Sequence, residues 1–176
     1  EAREFEKGDG KPRFSETLLI APGSENDKNI RKAIETECKA KFGAKWEARM
    51  KALMGDSGKC CYRDGNAMNN EHFAEHMILA AHRREKDGAP IVIDKDKSPL
   101  LPKSGKPYSG CYVNTKVEIY VQTGEYTGIR CTPLVVQFAG DGDAFAGRPV
   151  SEKDAEDFDD LSDGADADDE GDLSNF

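Results

Sequence analysis

In the stretch "CYVNTKVEIYVQ", residues 111–122, polar and apolar side chains alternate, so a strand here has two unlike faces. Cys111, Val113, Thr115, Val117, Ile119 and Val121 make an inner face, and Tyr112, Asn114, Lys116, Glu118, Tyr120 and Gln122 an outer one. Tyr112, Lys116 and Tyr120 therefore line up on the outer face, neighbours roughly 13 Å apart at the ordinary strand rise. Rings on that spacing offer π-faces to unpaired bases, each stack contributing about 1–3 kcal/mol whatever the base, and the lysine offers a cation to a phosphate. The stripe also has a plainly structural reading. Tyrosine favours strands, and its amphipathic ring suits a half-wet sheet surface.

Basic and aromatic residues cluster at neighbouring loops and strand ends, where binding residues usually sit. "HRREK" supplies His82, Arg83, Arg84 and Lys86; "PKSGKPYSG" supplies Lys103, Lys106 and Tyr108; "YRDG" supplies Tyr62 and Arg63. The expected interface has Tyr112 and Tyr120 stacking, with Tyr108 and Tyr62 in support. Phosphate contacts are expected from Lys116, Arg83, Arg84, Lys86, Lys106 and Arg63.

Other chemistries have weaker signals. Cys60, Cys61, His72, His76 and His82 lie close in sequence, but "HFAEH" is not H-E-x-x-H and adjacent cysteines lack the C-x₂₋₄-C spacing of a zinc site. "GDGDAFAG" lacks the alternating acids and closing Glu of a calcium loop. There is no phosphate-binding P-loop, dinucleotide fingerprint or nucleophile elbow. Nothing in the spacing of Cys61 and His72 supports a Cys–His nucleophile. A metal-dependent nuclease would have to use Asp56, Asp64, Glu71 and Glu75, of which the last two fit one helix face equally well. Neither catalysis nor a metal or other cofactor is expected.

The elements that must hold these residues are legible in part. "KPRFSETLLI" (11–20) reads as a strand closed by "APG". Ser24 with Asp27 matches a helix-capping pattern, and Ile30, Ile34, Cys38 and Phe42 form one helical stripe that Gly43 ends. Residues 44–54 read as a second helical piece with Trp46, Met50 and Leu53 inward. Residues 55–70 read as a loop and 76–84 as a strand. Asp87-Gly88 is a hairpin signal into "IVID" (91–94), although Pro90 limits the pairing that follows. A long Pro-bearing loop (95–110) leads to the two-faced strand. "TGEYTG" turns it, and residues 129–139 return, with Pro133 marking an edge or a bulge.

Charge divides the chain in two. Its net charge is −9, but residues 151–176 alone hold 12 acids and one base, or −11, which leaves residues 1–150 at +2. The domain reading follows: a slightly basic body over 1–150 and a disordered acidic tail over 151–176. The tail nonetheless ends on "LSNF", with Leu173 and a terminal Phe176. No apolar run approaches the ~20 residues that span a bilayer, and no signal peptide is visible. The chain starts at Glu1 rather than Met, which suggests a trimmed N-terminus. Five cysteines, two of them adjacent, do not form a disulfide framework, and fit a reducing cytoplasm.

"YSGCYVNTKVEIYV", then "GIRCTPLVVQFAGDGDAFAGRP", then an acidic tail, resembles a family of bacteriophage single-stranded DNA-binding proteins; "KPRFSETLLIAP" ahead of a Lys-rich helix fits it too. The resemblance runs from about Lys11 to Phe158. It implies a mainly β (α+β) fold: an OB-fold-like five-stranded β-barrel with one inserted helical segment, followed by the tail. It implies sequence-independent binding of single-stranded DNA in phage replication, recombination or repair, in the host cytoplasm. It also implies a tail that lies over the basic groove when DNA is absent. When DNA displaces the tail, Leu173 and Phe176 are expected to recruit a polymerase, helicase or primase. Self-association stays open. Two departures from the family pattern stand out: a β-segment expected upstream of "EAREFEKGDG", and Ala146-Gly147 where the family has paired glycines. Two rival readings remain, an acidic DNA-mimic or adaptor that binds another protein, and a metal-dependent nuclease.

Overall fold

A computed structural model describes residues 11–145. The elements run β1 (Arg13–Ile20), α1 (Glu25–Phe42), α2 (Trp46–Met54), β2 (Tyr62–Asp64), β3 (Met77–Arg84), β4 (Ile91–Ile93), β5 (Tyr112–Gln122) and β6 (Gly128–Gly140). One sheet has the order β1-β3-β2, all antiparallel; the other has β4-β6-β5. The α+β class is as expected. The closed five-stranded barrel is not: among the described residues six strands form two open sheets. Among the described residues β1 pairs only with β3 and β5 only with β6, and a cleft of about 1060 Å³ lies between these two edge strands.

Helix α1 begins where the sequence places it. The Ser24 hydroxyl accepts from the Asp27 N–H at 3.2 Å, and the Asp27 carboxylate accepts from the Gly23 N–H at 2.8 Å, a reciprocal cap. Ile34 and Cys38 of the apolar stripe are fully buried, and Gly43, at φ 52°, ends the helix. The stripe packs on the inner faces of both sheets, among Tyr62, Leu79 and Ala81 of one and Val121, Ile129 and Cys131 of the other. α2 adds Leu53 to this core, with Trp46 and Met50 packed against it.

The sheets join where β6 begins. Cys60 and Ile129 form a parallel bridge, with the Cys61 N–H on the Ile129 carbonyl at 3.0 Å and the Ile129 N–H on the Lys59 carbonyl at 2.7 Å. β5 and β6 form the expected hairpin, with a register shift after Lys116 beside Pro133, so the proline does mark a bulge.

Two readings of the chain need correcting. Residues 55–70 are not all loop, because Tyr62–Asp64 pairs with β3 as β2. Asp87-Gly88 does not make a hairpin: β4 pairs with β6, in parallel, in the other sheet. The Arg83 guanidinium bonds to the carbonyls of Gly88 and Asp87 and folds the turn onto the end of β3. Pro90 then has no N–H with which to continue that ladder. Among the described residues, no helix is long and apolar enough to cross a membrane.

Candidate nucleic-acid interface

Alternation along β5 holds from end to end: Tyr112, Asn114, Lys116, Glu118 and Tyr120 are exposed, while the residues between them are half-buried. Tyr112 is 70% exposed and Tyr120 37%. Helix α1 covers the opposite face, against Val117 and Ile119. The register with β6 extends the outer face sideways. Lys116 stands opposite Val135, Glu118 opposite Thr132, and Tyr120 opposite Arg130. Arg130 was not among the residues the sequence suggested. It could have been found only from the hairpin register, which sets it directly across from Tyr120.

Arg130 connects the stripe to a cationic junction between the sheets. Its guanidinium donates to the Gly58 and Tyr126 carbonyls at 3.1 and 3.3 Å, which fixes its position. Across the junction the Thr132 hydroxyl donates to the His82 carbonyl at 3.2 Å. Burial, and then the cations of Arg13, Arg63 and Arg130, push the His82 imidazole below its ordinary range. Arg84 lies on this side of β3, two residues from His82 and opposite Arg13. Arg63 also reaches it, with one guanidinium nitrogen on the Ser57 carbonyl at 2.9 Å. Lys86 is exposed on the adjoining turn.

Three suggested residues do not join this surface. Tyr62 is 1% exposed, and its hydroxyl donates to Asp27 at 2.9 Å, so no base can reach its ring. Burial first, and then the contact with Asp27, pushes the phenol well above its ordinary range. Arg83 points to the other face of β3 from His82 and Arg84, and its guanidinium is held by the turn. The Lys106 ammonium sits 4.3 Å from the centre of the Phe138 ring. Phe138 pairs with Val113 and so belongs to the face opposite Tyr112.

Tyr108 does approach Tyr112, through a corner the sequence did not disclose. Residues 140–145 fold back over 108–110. The Tyr108 hydroxyl donates to the Asp141 carboxylate at 3.0 Å and receives the Gly142 N–H at 3.2 Å; the Phe145 N–H reaches the Ser109 carbonyl at 3.2 Å. Only glycine permits this approach. A Cβ on Gly110, which has φ +101°, would lie 2.0 Å from the Asp143 carbonyl oxygen, and one on Gly142 would lie 2.2 Å from that of Gly110. The corner carries Phe145 to His72, where the rings stack with centroids 4.5 Å apart and planes 13° from parallel. His72, Phe145, Tyr108 and Tyr112 all line the cleft between β1 and β5.

Among the described residues, no three His, Cys, Asp or Glu side chains gather as a metal-holding group. Leu173 and Phe176 lie outside the described residues, as do Ala146-Gly147 and the segment 151–176.

With that geometry in view, comparisons with known proteins are specific. A family model described as "Enterobacter phage Enc34, ssDNA-binding protein" matches residues 1–171. "Putative protein p50" of Acyrthosiphon pisum secondary endosymbiont phage 1 is 35% identical over 160 residues, spanning 88% of this chain and 83% of its own length. The fold resembles the single-stranded DNA-binding protein of bacteriophage Enc34 solved in complex with ssDNA. That match has TM-score 0.65 at 21% identity, over 81% of this chain and 79% of that one. It also resembles gp2.5, a single-stranded DNA-binding protein encoded by bacteriophage T7, with TM-score 0.50 at 13% identity over 83% and 84% of the two chains.

Proposed function

This chain belongs to the Enc34-type family of phage single-stranded DNA-binding proteins, a family of non-enzymatic binders, and from that membership we propose how it engages its ligand. Single-stranded DNA crosses the outer face of β5 and β6 without regard to sequence. Tyr112 and Tyr120 stack on bases, with Tyr108 supporting Tyr112 at the cleft. Lys116, between the two rings, meets a phosphate. Arg84, Arg63, Lys86 and Arg130 receive the backbone at the sheet junction, where several cations raise the local concentration of a polyanion. The two open sheets act as an OB-type scaffold around this track. The carrying observation is the alternation of β5, which leaves Tyr112, Lys116 and Tyr120 exposed on one face.

The basic body and the −11 segment over 151–176 support a second part of the reading. The acidic segment competes with DNA for the cationic surface. When displaced, its end recruits a polymerase, helicase or primase, with Leu173 and Phe176 as apolar anchors and the acids steering the encounter. The setting is phage replication, recombination or repair in the host cytoplasm.

A gel shift with labelled single- and double-stranded oligonucleotides, with and without magnesium, tests the core of this. Single strands of unrelated sequence are expected to shift alike and intact, and the shift to fade as salt rises and counterions are no longer released to advantage. No shift, or magnesium-dependent degradation, would remove the reading. Deleting 151–176 is expected to tighten DNA binding and abolish partner recruitment; weaker binding would show that the segment is no competitor.

A further inference from the structure

We propose that the His72–Phe145 stack is an additional platform for an unpaired base, so that the DNA turns off the β5 face at Tyr112 into the cleft between β1 and β5. This rests on the reading of Tyr112 as a stacking residue.

Phe145 is 40% exposed although it is fully apolar, and His72 beside it is exposed as well. Water does not favour an apolar ring left in that position. The backbone holds it there, through the Phe145 N–H on Ser109 and the Gly110–Asp143 approach that no side chain could share. A ring pair that is already parallel, and fixed before the ligand arrives, suits a third flat ring and leaves little ordering still to be done.

The rest of the cleft fits a base better than a phosphate. Its wall carries Asn26 and Asn29, whose amides offer donors and acceptors to a base edge. It also carries the acidic Asp143, and among the described residues no lysine or arginine lines it. The cations lie instead around His82 and Arg130, at the far end of the β5 face. A strand with its backbone toward that junction and its last bases turned into the cleft satisfies both regions. Tyr112 lines the cleft and also stands on the outer face, so it is the point where one surface passes into the other.

The test uses the full chain and an oligo-dT probe. Phe145→Ala is expected to weaken binding roughly 5- to 150-fold, the range of one lost stack, with the salt dependence of the affinity unchanged because a stack releases no counterions. Phe145→Trp is expected to restore affinity, and its new indole emission, measured against the wild-type chain with its single Trp46, is expected to be quenched by the probe. Wild-type affinity in Phe145→Ala would overturn the proposal. So would a tryptophan variant that gains no quenching, or an altered salt slope, which would trace the effect to the acidic segment that follows Phe145. Tyr112→Ala with Tyr120→Ala separates the two levels. If that pair loses affinity while Phe145→Trp stays unquenched, this proposal alone falls; if that pair binds normally, the β5 reading beneath it falls too.

Discussion

Tyr62 and Tyr112 are the same residue in opposite surroundings. Tyr62 lies under α1 with 1% of its surface exposed, while Tyr112 stands on the outer face of β5 with 70% exposed. Each follows from what its neighbours supply. Tyr62 pairs with the apolar Leu79, and its hydroxyl is answered by Asp27, 35 residues away, so burial costs no lost hydrogen bond. Asp27 is suited to that role. The Gly23 N–H above all, then Tyr62 and Arg31, holds its carboxyl below the usual carboxylate range, and it stays an acceptor at neutral pH. Tyr112 stands opposite Gly140, which has no side chain to cover it. One region uses the ring to hold the fold together, and the other leaves it exposed. Ring type alone does not separate binding from structure; the partner of the hydroxyl and the cover over the ring do.

The largest effect expected from this contrast is on DNA affinity. Tyr112→Ala with Tyr120→Ala is expected to lower it by about 2–6 kcal/mol, two stacks' worth, with the melting temperature unmoved, in paired titration and thermal scans. Unchanged affinity would place the track elsewhere. Tyr62→Ala is the mirror experiment. It removes a fully buried ring and a hydrogen bond to a buried carboxylate, so a stability loss of about 3–5 kcal/mol is expected in denaturant unfolding. Tyr62→Phe, which keeps the ring, is expected to cost about 1–3 kcal/mol, the hydrogen bond to a charged acceptor. If Tyr62→Phe lowered DNA affinity and left stability intact, the division between the two tyrosines would fail.

Glu16 sharpens the boundary between the sealed and open regions. It stands on β1, lines the cleft, and has a buried carboxyl oxygen without a hydrogen-bond partner among the described residues. Burial pushes its carboxyl from the ordinary 4.5 up to about 7. In the unfolded chain it ionises above about 4.5; folded, it keeps its proton until about 7. Between those values the unfolded state binds fewer protons, so stability falls as pH rises and levels off above about 7. Glu16→Gln is expected to be more stable than the wild type at pH 8 by on the order of 2 kcal/mol, a figure discounted for partial exposure, and no more stable below pH 4.5. Denaturant melts at the two pH values check this. An equal gain at both would show that the charge is not the cause.

How far the sequence could be read follows the same division. Local patterns came through: the Ser24 cap, the Ile34–Cys38 stripe, the alternation of β5, the bulge at Pro133. Each is carried by residues within a turn or a strand of one another. What was hidden depends on residues that meet only after folding. β2 is three residues long and has too little alternation to be read, and Tyr62 looked available because Asp27 is remote in sequence. Parallel pairing of β4 with β6 leaves no local turn signal, whereas Asp87-Gly88 offered a false one. The stack of His72 on Phe145 joins residues 73 positions apart through the glycine approach at 110 and 142, and neither residue carries a motif. Arg130 needed the hairpin register. The exposed face of β5 and three cations of the junction, Arg84, Arg63 and Lys86, were therefore legible, and Arg130 and the aromatic corner were not.

The smallest expected effect tests the face logic most narrowly. Lys116 and Arg83 are both cations on strands, but Lys116 is exposed between two exposed tyrosines, whereas the Arg83 guanidinium is held by the Gly88 and Asp87 carbonyls. A lysine that meets one phosphate of a single strand contributes about 0.7 to the slope of log affinity against log salt. Lys116→Ala is expected to flatten the slope by about that amount, with a modest loss of affinity, and Arg83→Ala to leave it unchanged while loosening the turn. Titrations at four or five salt concentrations resolve such a difference. Equal flattening by both variants would mean that charge anywhere on the body serves equally, and the ligand would then be reading net potential, with no track along β5. Flattening by Lys116→Ala alone would mean that DNA distinguishes one side of the sheet from the other, which only an oriented strand between Tyr112 and Tyr120 accounts for.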